Sequence, residues 1–401
     1  MKGKVVPLKD LFQIGSSKRV LKSQWKAEGV PFYRGREVTR LAMDGFVDNE
    51  LFISEAHYAE LANQYGAPRT DDIVITAIGT IGNSYIVQDG DRFYFKDASI
   101  LWMKRISDVS SKFVNFWLKS TMFLDQLDHG NGATVDTLTI QKLQSVQIWV
   151  PPIAEQHRIV SILDEAFEGI AKARAHAEQN RQNARALFES HLQSVFTQRG
   201  EGWAEKSLEE VVDAQCTLSY GIVQPGHEYA KGMPIVRPTD LTAKLITLNG
   251  LKRIDPKLAD GYRRTTLRGG ELLLCVRGST GVLAVTSSEL AGANVTRGIV
   301  PIMFDPSLLS QDFGYFLMTS EAVQSQIRIK TYGTALMQIN IGDLRKIAVS
   351  FPPLKEQERM TAQLEELSAE TQRLESIYQQ KLAALDELKK SLLHQAFSGS
   401  L

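Results

Sequence analysis

The strongest constraint on this chain is a stretch that occurs twice, at a constant offset of 201 residues. One copy runs Pro151-Pro152-Ile153-Ala154-Glu155-Gln156-His157-Arg158 and on to Phe196. The other runs Pro352-Pro353-Leu354-Lys355-Glu356-Gln357-Glu358-Arg359 and on to Phe397. A proline pair fixes an extended entry and is tolerated in a first helical turn, where a missing N–H costs nothing. Glu and Gln in that turn suit the positive end of the helix dipole. Both stretches predict helix starts.

Downstream, apolar or small residues recur in steps of four and three: Ile159, Leu163, Ala166, Ile170, Ala173, Ala177, then Ala184 and Leu187. The twin repeats the phase at Met360, Leu364, Leu367, Leu374, Tyr378, Leu385, Leu388 and Leu392. This is a heptad seam. Gly169 apart, no Gly or Pro interrupts either stretch, so each predicts a helix of about 45 residues, close to 65 Å at 1.5 Å per residue. Helices that long need a partner. The chain leaves the end of the first and enters the start of the second, so the two are expected to lie antiparallel. Facing residues would have numbers summing to roughly 555, pairing Leu163 with Leu392, Ile170 with Leu385, Ala177 with Tyr378 and Ala184 with Thr371, with small residues opposite large ones. Asn180 and Lys381 fall on seam positions, where a polar group either fixes register or snorkels at a solvent-facing edge.

Between the twins the chain repeats as well. Val6 to Phe12 and Trp203 to Val212 both read as a short strand and a helical turn. Val30-Pro31-Phe32-Tyr33-Arg34 and Met233-Pro234-Ile235-Val236-Arg237 each carry an apolar pair to an arginine. Asp72 to Ile78 and Glu271 to Val276 are buried strands running into Gly79-Thr80-Ile81-Gly82 and Gly278-Ser279-Thr280-Gly281. Helical stretches follow at Phe113 to Leu127 and Phe313 to Ile329, then glycine loops at His129 to Thr134 and Thr331 to Thr334, then strands Val146 to Val150 and Ile347 to Phe351. The expected fold is α+β with pseudo-twofold symmetry. It comprises a globule over 1–150, a long helix over 151–199, a second globule over 200–350 and a second long helix over 351–401. Residues 35–70 and 238–268 share almost nothing, as diverged inserts on a duplicated scaffold would.

This arrangement resembles the specificity subunit of Type I restriction-modification systems over the whole chain. The carriers are the two Pro-Pro-x-x-Glu-Gln-x-Arg helix starts and the helix ends Leu187 to Phe196 and Leu388 to Phe397. The resemblance implies two target recognition domains, each reading one half of a split double-stranded DNA sequence. The antiparallel helices would act as a ruler that also carries modification (methyltransferase) subunits, typically two, which restriction motor subunits join. It implies a DNA-reading adaptor without catalysis of its own, cofactor or membrane association.

The residues themselves fit that class. Hydrophobic content of 43% and charged content of 23% are ordinary for a soluble globular protein. Cys216 and Cys275 make no disulfide framework or metal cluster, the seven histidines show no ligand spacing, and no run approaches a membrane span, so a cytoplasmic protein is expected. Net charge is zero, but Lys2 to Arg40 holds ten basic residues against three acids, and Lys252 to Arg277 seven against three. No phosphate loop, zinc motif or nucleophile elbow is present. The Pro-Pro pairs follow Val150 and Phe351, not the Asn or Asp of an amino-methyltransferase motif.

DNA contact calls for loop arginines on guanine, Asn or Gln on adenine, and Lys, Ser, Thr or backbone N–H on phosphate. In the first globule the candidates are Lys18, Arg19, Lys22, Arg34, Arg36, Arg40, Thr80, Asn131 and Thr134. In the second they are Arg237, Arg263, Arg264, Arg277, Ser279, Thr280, Tyr332 and Thr334. Each arginine is equally compatible with a solvated surface, and each glycine loop with a tight turn that needs positive φ. The rival readings are a coiled-coil scaffold whose globules bind protein, and a self-contained DNA-modifying enzyme with an unfamiliar site.

Overall fold

The computed structural model describes residues 3–127, 137–334 and 336–401. Helices Ile153–Thr197 and Leu354–Ser398, 45 residues each, stand where the repeated stretches predicted them. The prolines sit just outside the helices instead of in the first turn. The Pro152 carbonyl accepts the Glu155 and Gln156 N–H groups at 2.9 and 3.1 Å, and the Pro353 carbonyl accepts those of Glu356 and Gln357 at the same distances. The second proline of each pair thus opens the helical ladder with its oxygen, a role that needs no N–H.

The glutamine of the repeated motif does more than suit the dipole. Gln156 is buried; its Oε1 accepts the Ser110 N–H at 2.9 Å and its Nε2 donates to the Pro151 carbonyl at 2.8 Å. Ser110 in turn caps helix Ser111–Leu118 through its hydroxyl. In the second copy Gln357 accepts the Ser310 N–H at 2.9 Å and donates to the carbonyls of Pro352 and Leu308, both at 2.8 Å. Ser310 caps Gln311–Thr319. One buried amide therefore joins the entry of each long helix to the start of a short helix in a globule.

The chain divides into two compact units, Met1–Glu178 with Gln379–Leu401, and Gln179–Tyr378. The division crosses both long helices at mid-length, because each helix half shares a core with one globule. In the first unit, Ile159 and Leu163 from the start of one helix belong to the same core as Leu393, Ala396 and Phe397 from the end of the other. Phe113 meets Phe397 edge-on with ring centroids 5.2 Å apart. In the second unit, Leu192 and Phe196 share a core with Met360 and Leu364. Within each unit the helices run antiparallel.

The register is close to the expected sum of 555: Lys389 lies over the Phe167 ring at 5.1 Å, a sum of 556, and Leu163 shares a core with Leu393 as Leu192 does with Leu364, also 556. The ion pairs Arg174 with Asp386 and Arg185 with Glu375 sum to 560. Long side chains reach along the axis, so these contacts locate the register to within about a turn. Ile159, Leu163, Ile170, Ala177, Ala184 and Leu364 are buried, while Leu374, Tyr378, Leu385 and Leu392 are half-buried. Leu187 is a correction: it is 61% exposed, and Phe188 and Leu192 turn inward in its place. A helix of 3.6 residues per turn drifts by about 20° per heptad against a strict seven-residue count, so a position extrapolated along it rotates off the seam. Asn180 and Lys381 are exposed, at the solvent edge and not in the seam.

The two globules share a frame of three antiparallel strands and a second, three-stranded sheet, and add a fourth strand to the former at opposite edges. In the first, strand Ile73–Thr76 lies between Ile100–Arg105 and Ser84–Ile86 in a four-stranded sheet completed by Phe12–Gly15, all antiparallel. A three-stranded sheet joins Phe52–Ile53, Val30–Tyr33 and Tyr94–Phe95, the last pair parallel. In the second, Leu272–Cys275 lies between Ile299–Ile302 and Leu283–Thr286, with Leu245–Ile246 at the edge. Lys252–Ile254, Met233–Val236 and Asn294–Val295 form its three-stranded sheet. Lys4–Pro7 pairs with Gln147–Val150, and Ala204–Ser207 with Ala348–Phe351, so each globule's first strand closes on the strand that feeds a long helix. The helical stretches expected after the central strands are each two helices, broken at buried Ser120 and Ser320.

Replacing Gln156 or Gln357 by Leu strands an N–H and at least one carbonyl, at about 1–3 kcal/mol for each unmet group. Urea unfolding of either variant is expected to lose about 2–4 kcal/mol. Glu155→Ala, which removes only an exposed i,i+3 pair with Arg158, is expected to cost less than about 1 kcal/mol.

Candidate nucleic-acid interface

The two buried central strands end in the same turn. Gly79 and Gly82 in one globule, and Gly278 and Gly281 in the other, have φ of 78°, 92°, 85° and 93°. These are left-handed conformations that only glycine adopts without strain. Around the strand end, backbone hydrogen bonds hold two more segments. The Ala77 N–H donates to the Ser99 carbonyl at 2.9 Å, and the Leu138 N–H to the Ala77 carbonyl at 2.7 Å. In the second globule the Val276 N–H donates to the Gly298 carbonyl at 2.8 Å, and the Ile339 N–H to the Val276 carbonyl at 3.0 Å. The match sets three rim positions in register: Ile78 with Arg277, Ala98 with Arg297, and Thr137 with Gln338. Within each globule the first and third positions are bridged, Ile78 to Thr137 and Arg277 to Gln338.

A fourth segment closes each rim. A Cβ on Gly298 would meet the Pro238 ring at 2.6 Å, so the Arg237–Asp240 turn abuts this edge only because residue 298 is glycine. In the first globule, Gly35 stands beside Thr76, Ile78 and Ser99, bringing Arg34 and Arg36 to the equivalent edge. The basic segment Ser16 to Lys22 also borders it: the Ser16 hydroxyl donates to the Ile100 carbonyl at 3.1 Å and accepts the Ala98 N–H at 3.2 Å. Lys18 lies over the Tyr65 ring at 5.2 Å, and Arg19 and Lys22 are exposed.

In the second globule these segments enclose a pocket of about 250 Å³ lined by Tyr220, Arg277, Arg297, Gln338 and Asn340 among others. Tyr332 stands beside it: its hydroxyl donates to Asn340 Oδ1 at 2.5 Å and accepts from Gln338 Nε2 at 3.2 Å. Of the sequence candidates, Arg277 lines this pocket and Tyr332 flanks it. Ser279 and Thr280 sit on the adjoining glycine turn, and Thr334 is exposed on the hairpin that carries Gln338. Arg263 and Arg264 are exposed on a separate turn, Arg263–Thr265, beside the three-stranded sheet. Asn131 and Thr134 lie outside the described residues. Arg297, Gln338 and Asn340 escaped the sequence reading. Arg297 stands alone between a buried threonine and a glycine, and the hairpin that returns Gln338 to the strand end is a tertiary contact.

Arg34 and Arg237 have a different first duty from the one expected. Arg34 donates from Nε and Nη2 to Glu37 at 3.1 and 2.7 Å, and its backbone N–H donates to the same carboxylate at 2.8 Å. Arg237 makes the same three bonds to Asp240, at 3.0, 2.7 and 2.8 Å. Each guanidinium fork is already engaged by a carboxylate, so neither is free for bidentate base reading as it stands. Arg36 adds a bond to Glu37 at 2.9 Å and one to Glu50 at 2.7 Å. Arg40, one turn on, is exposed with no ion pair among the described residues, and Thr80 is exposed on the glycine turn. Glu37 is 1% exposed; burial alone would raise its pKa, but the Arg34 and Arg36 bonds outweigh burial and pull it to about 2. Among the described residues no group of His, Cys, Asp or Glu could hold a metal, and no helix is long and apolar enough to cross a membrane.

Two globules of one frame, each packed with halves of the same two long helices and each with a differently lined rim, make a duplicated α+β protein. The family model for the Type I restriction modification DNA specificity domain matches it twice, over residues 2–177 and 200–383, and the chain belongs to that family. The EcoBI specificity subunit of Escherichia coli is 25% identical over 293 residues, which are 68% of this chain and 62% of that protein. The matched segment thus spans about three-fifths of that relative's length. Two solved chains share the fold at 18% identity. One, from a type I R-M system described for its complex assembly, covers all of this chain and 98% of its own with a TM-score of 0.79. The other, the HsdS subunit from Thermoanaerobacter tengcongensis, covers all of this chain and 97% of its own with a TM-score of 0.59.

Glu37→Gln is expected to lower stability at pH 7 by about 2 kcal/mol. That is less than the ~3–5 of a fully buried broken pair, because both arginines reach solvent. The Glu37 pKa is depressed in the folded state, so its contribution is complete above about 4.5 and is lost as pH falls towards about 2. The difference in Tm between wild type and variant should be constant from pH 7 to 5.5 and shrink by pH 3.

Proposed function

We propose that the chain is a non-catalytic DNA reader for a Type I restriction-modification complex, recognising a split double-stranded target with one half-site per globule. The observation that carries this reading is the contrast at three equivalent rim positions. The second globule presents Arg277, Arg297 and Gln338, where the first presents Ile78, Ala98 and Thr137, on one backbone frame. A scaffold duplicated for structure alone has no need to keep the frame and change the rim. A guanidinium pair with an amide suits guanine and adenine edges in the major groove, whereas an exposed isoleucine and a threonine suit a thymine methyl and a phosphate.

Lys18, Arg19, Lys22, Arg40, Arg263, Arg264 and the hydroxyls of Thr80, Ser279, Thr280 and Thr334 would hold phosphates, setting register without reading sequence. Arg34, Arg36 and Arg237 would contribute positive potential while keeping their carboxylate partners. The paired helices would fix the distance between half-sites and carry the methyltransferase subunits, two by the symmetry of the repeat, with restriction and translocase subunits joining that assembly. Base modification would occur in those partners.

The decisive measurement is a methylation map of DNA from cells expressing this chain with a methyltransferase subunit, against a chain whose residues 203–350 are exchanged for another recognition domain. A split motif in which one half alone changes is the expected result. A motif unaltered by the exchange, or none, would favour a protein-binding scaffold. In the same complex, Arg297→Ala is expected to weaken binding about 5- to 150-fold, the equivalent of about 1–3 kcal/mol, and to relax one base of one half only. Lys18→Ala should weaken all sequences alike and flatten the salt dependence by about one phosphate contact.

A further inference from the structure

The duplication poses a problem of self-recognition, independent of what the globules read. The two long helices match at an offset of 201 residues, and the ends of their seams are interchangeable: Ile159, Leu163, Leu192 and Phe196 correspond to Met360, Leu364, Leu393 and Phe397. All eight are buried. At these ends apolar packing alone would let the first helix of one copy pair with the first helix of another, and second with second. In the middle, Ala173, Ala177 and Ala184 correspond to Leu374, Tyr378 and Leu385, so the match of small with large favours the unlike pair there and leaves the ends undiscriminated.

Charged contacts bear on the same choice. In one unit Arg174 of the first helix meets Asp386 of the second, and in the other unit Arg185 of the first meets Glu375 of the second at 3.9 Å. The 201-residue offset carries Arg174 onto Glu375 and Arg185 onto Asp386. These are the same two positions of the ancestral repeat, and the two copies have taken opposite charges at both. A pairing of first helix with first helix would set Arg174 against Arg185 of the other copy, twice. Second with second would set Asp386 against Glu375, twice. Only the mixed pairing gives opposite charges at both places. Each contact is partly exposed and individually weak, and like charges in the same geometry cost a similar amount. The charge contribution therefore comes from converting both contacts at once, in addition to the size match in the middle of the seam.

We propose that Arg174, Arg185, Glu375 and Asp386 form a charge code that pairs unlike helices of this chain and rejects like-with-like pairing with a second copy. Full-length chains test it. The variant R174D/R185E has two acidic helices, and E375R/D386R has two basic ones. Neither satisfies itself, but each satisfies the other by exchanging the second helix.

Two differently tagged versions are co-expressed, and the amount of the second tag captured with the first is measured. The mixed pair of variants is expected to capture at least about tenfold more than a wild-type pair. R174D/R185E with itself should stay near the wild-type level, and so should the fourfold exchange R174D/R185E/E375R/D386R with itself. Capture by the mixed pair within twofold of wild type overturns the code. So does equally high capture by R174D/R185E with itself, which would mean that a loosened seam, not charge complementarity, drives exchange. The co-expressed mixture reports even where one variant alone folds poorly, since only exchange rescues it.

Discussion

The structure depends on a buried glutamine at the head of each long helix. Gln156 and Gln357 each spend the amide oxygen on the N–H of a serine that caps a globule helix, and the amide nitrogen on the carbonyl of the first proline. A hydrogen bond inside protein is directional where apolar burial is not, and an unmet partner there is costly. Hydrophobic contact holds each helix end to its globule, but the amide fixes where the helix leaves it. The same joint occurs twice.

A second duplicated device lies at the rims. Arg34 with Glu37 and Arg237 with Asp240 have the same geometry, a backbone N–H and a guanidinium fork closed on one carboxylate three residues on. Arginine there is a structural staple that keeps part of its charge field. The rim residues that differ between globules, Arg277, Arg297 and Gln338 against Ile78, Ala98 and Thr137, hang on backbone bonds that do not. Equivalent main-chain geometry with different side chains is a physical route by which one frame presents two different surfaces.

The charge divergence along the helices follows the same logic. Duplication leaves seam ends that fit themselves as well as each other, and packing there is too permissive to distinguish them. Opposite charges at equivalent positions break that degeneracy with little loss of stability, because the groups remain at the solvent edge.

The sequence by itself determined the elements whose signals are local or periodic. The two helices end within a residue or two of where Pro151 to Phe196 and Pro352 to Phe397 set them, since heptads and prolines act on neighbouring turns. The glycine turns at Gly79 and Gly278, and the strands before them, followed from apolar runs meeting residues that tolerate positive φ. Tertiary structure decided what depends on distance in sequence. Leu187 turned outward because the helical period is not seven halves, and a count carried across heptads accumulates that mismatch. Arg34 and Arg237 are the exception, held by carboxylates three residues on in a local turn whose spacing the sequence did carry. Gln338 reached Arg277 through a hairpin, and Arg297 through the antiparallel pairing of Cys275 with Ile299, so the rim exists only once the sheet has brought three separate loops to one strand end.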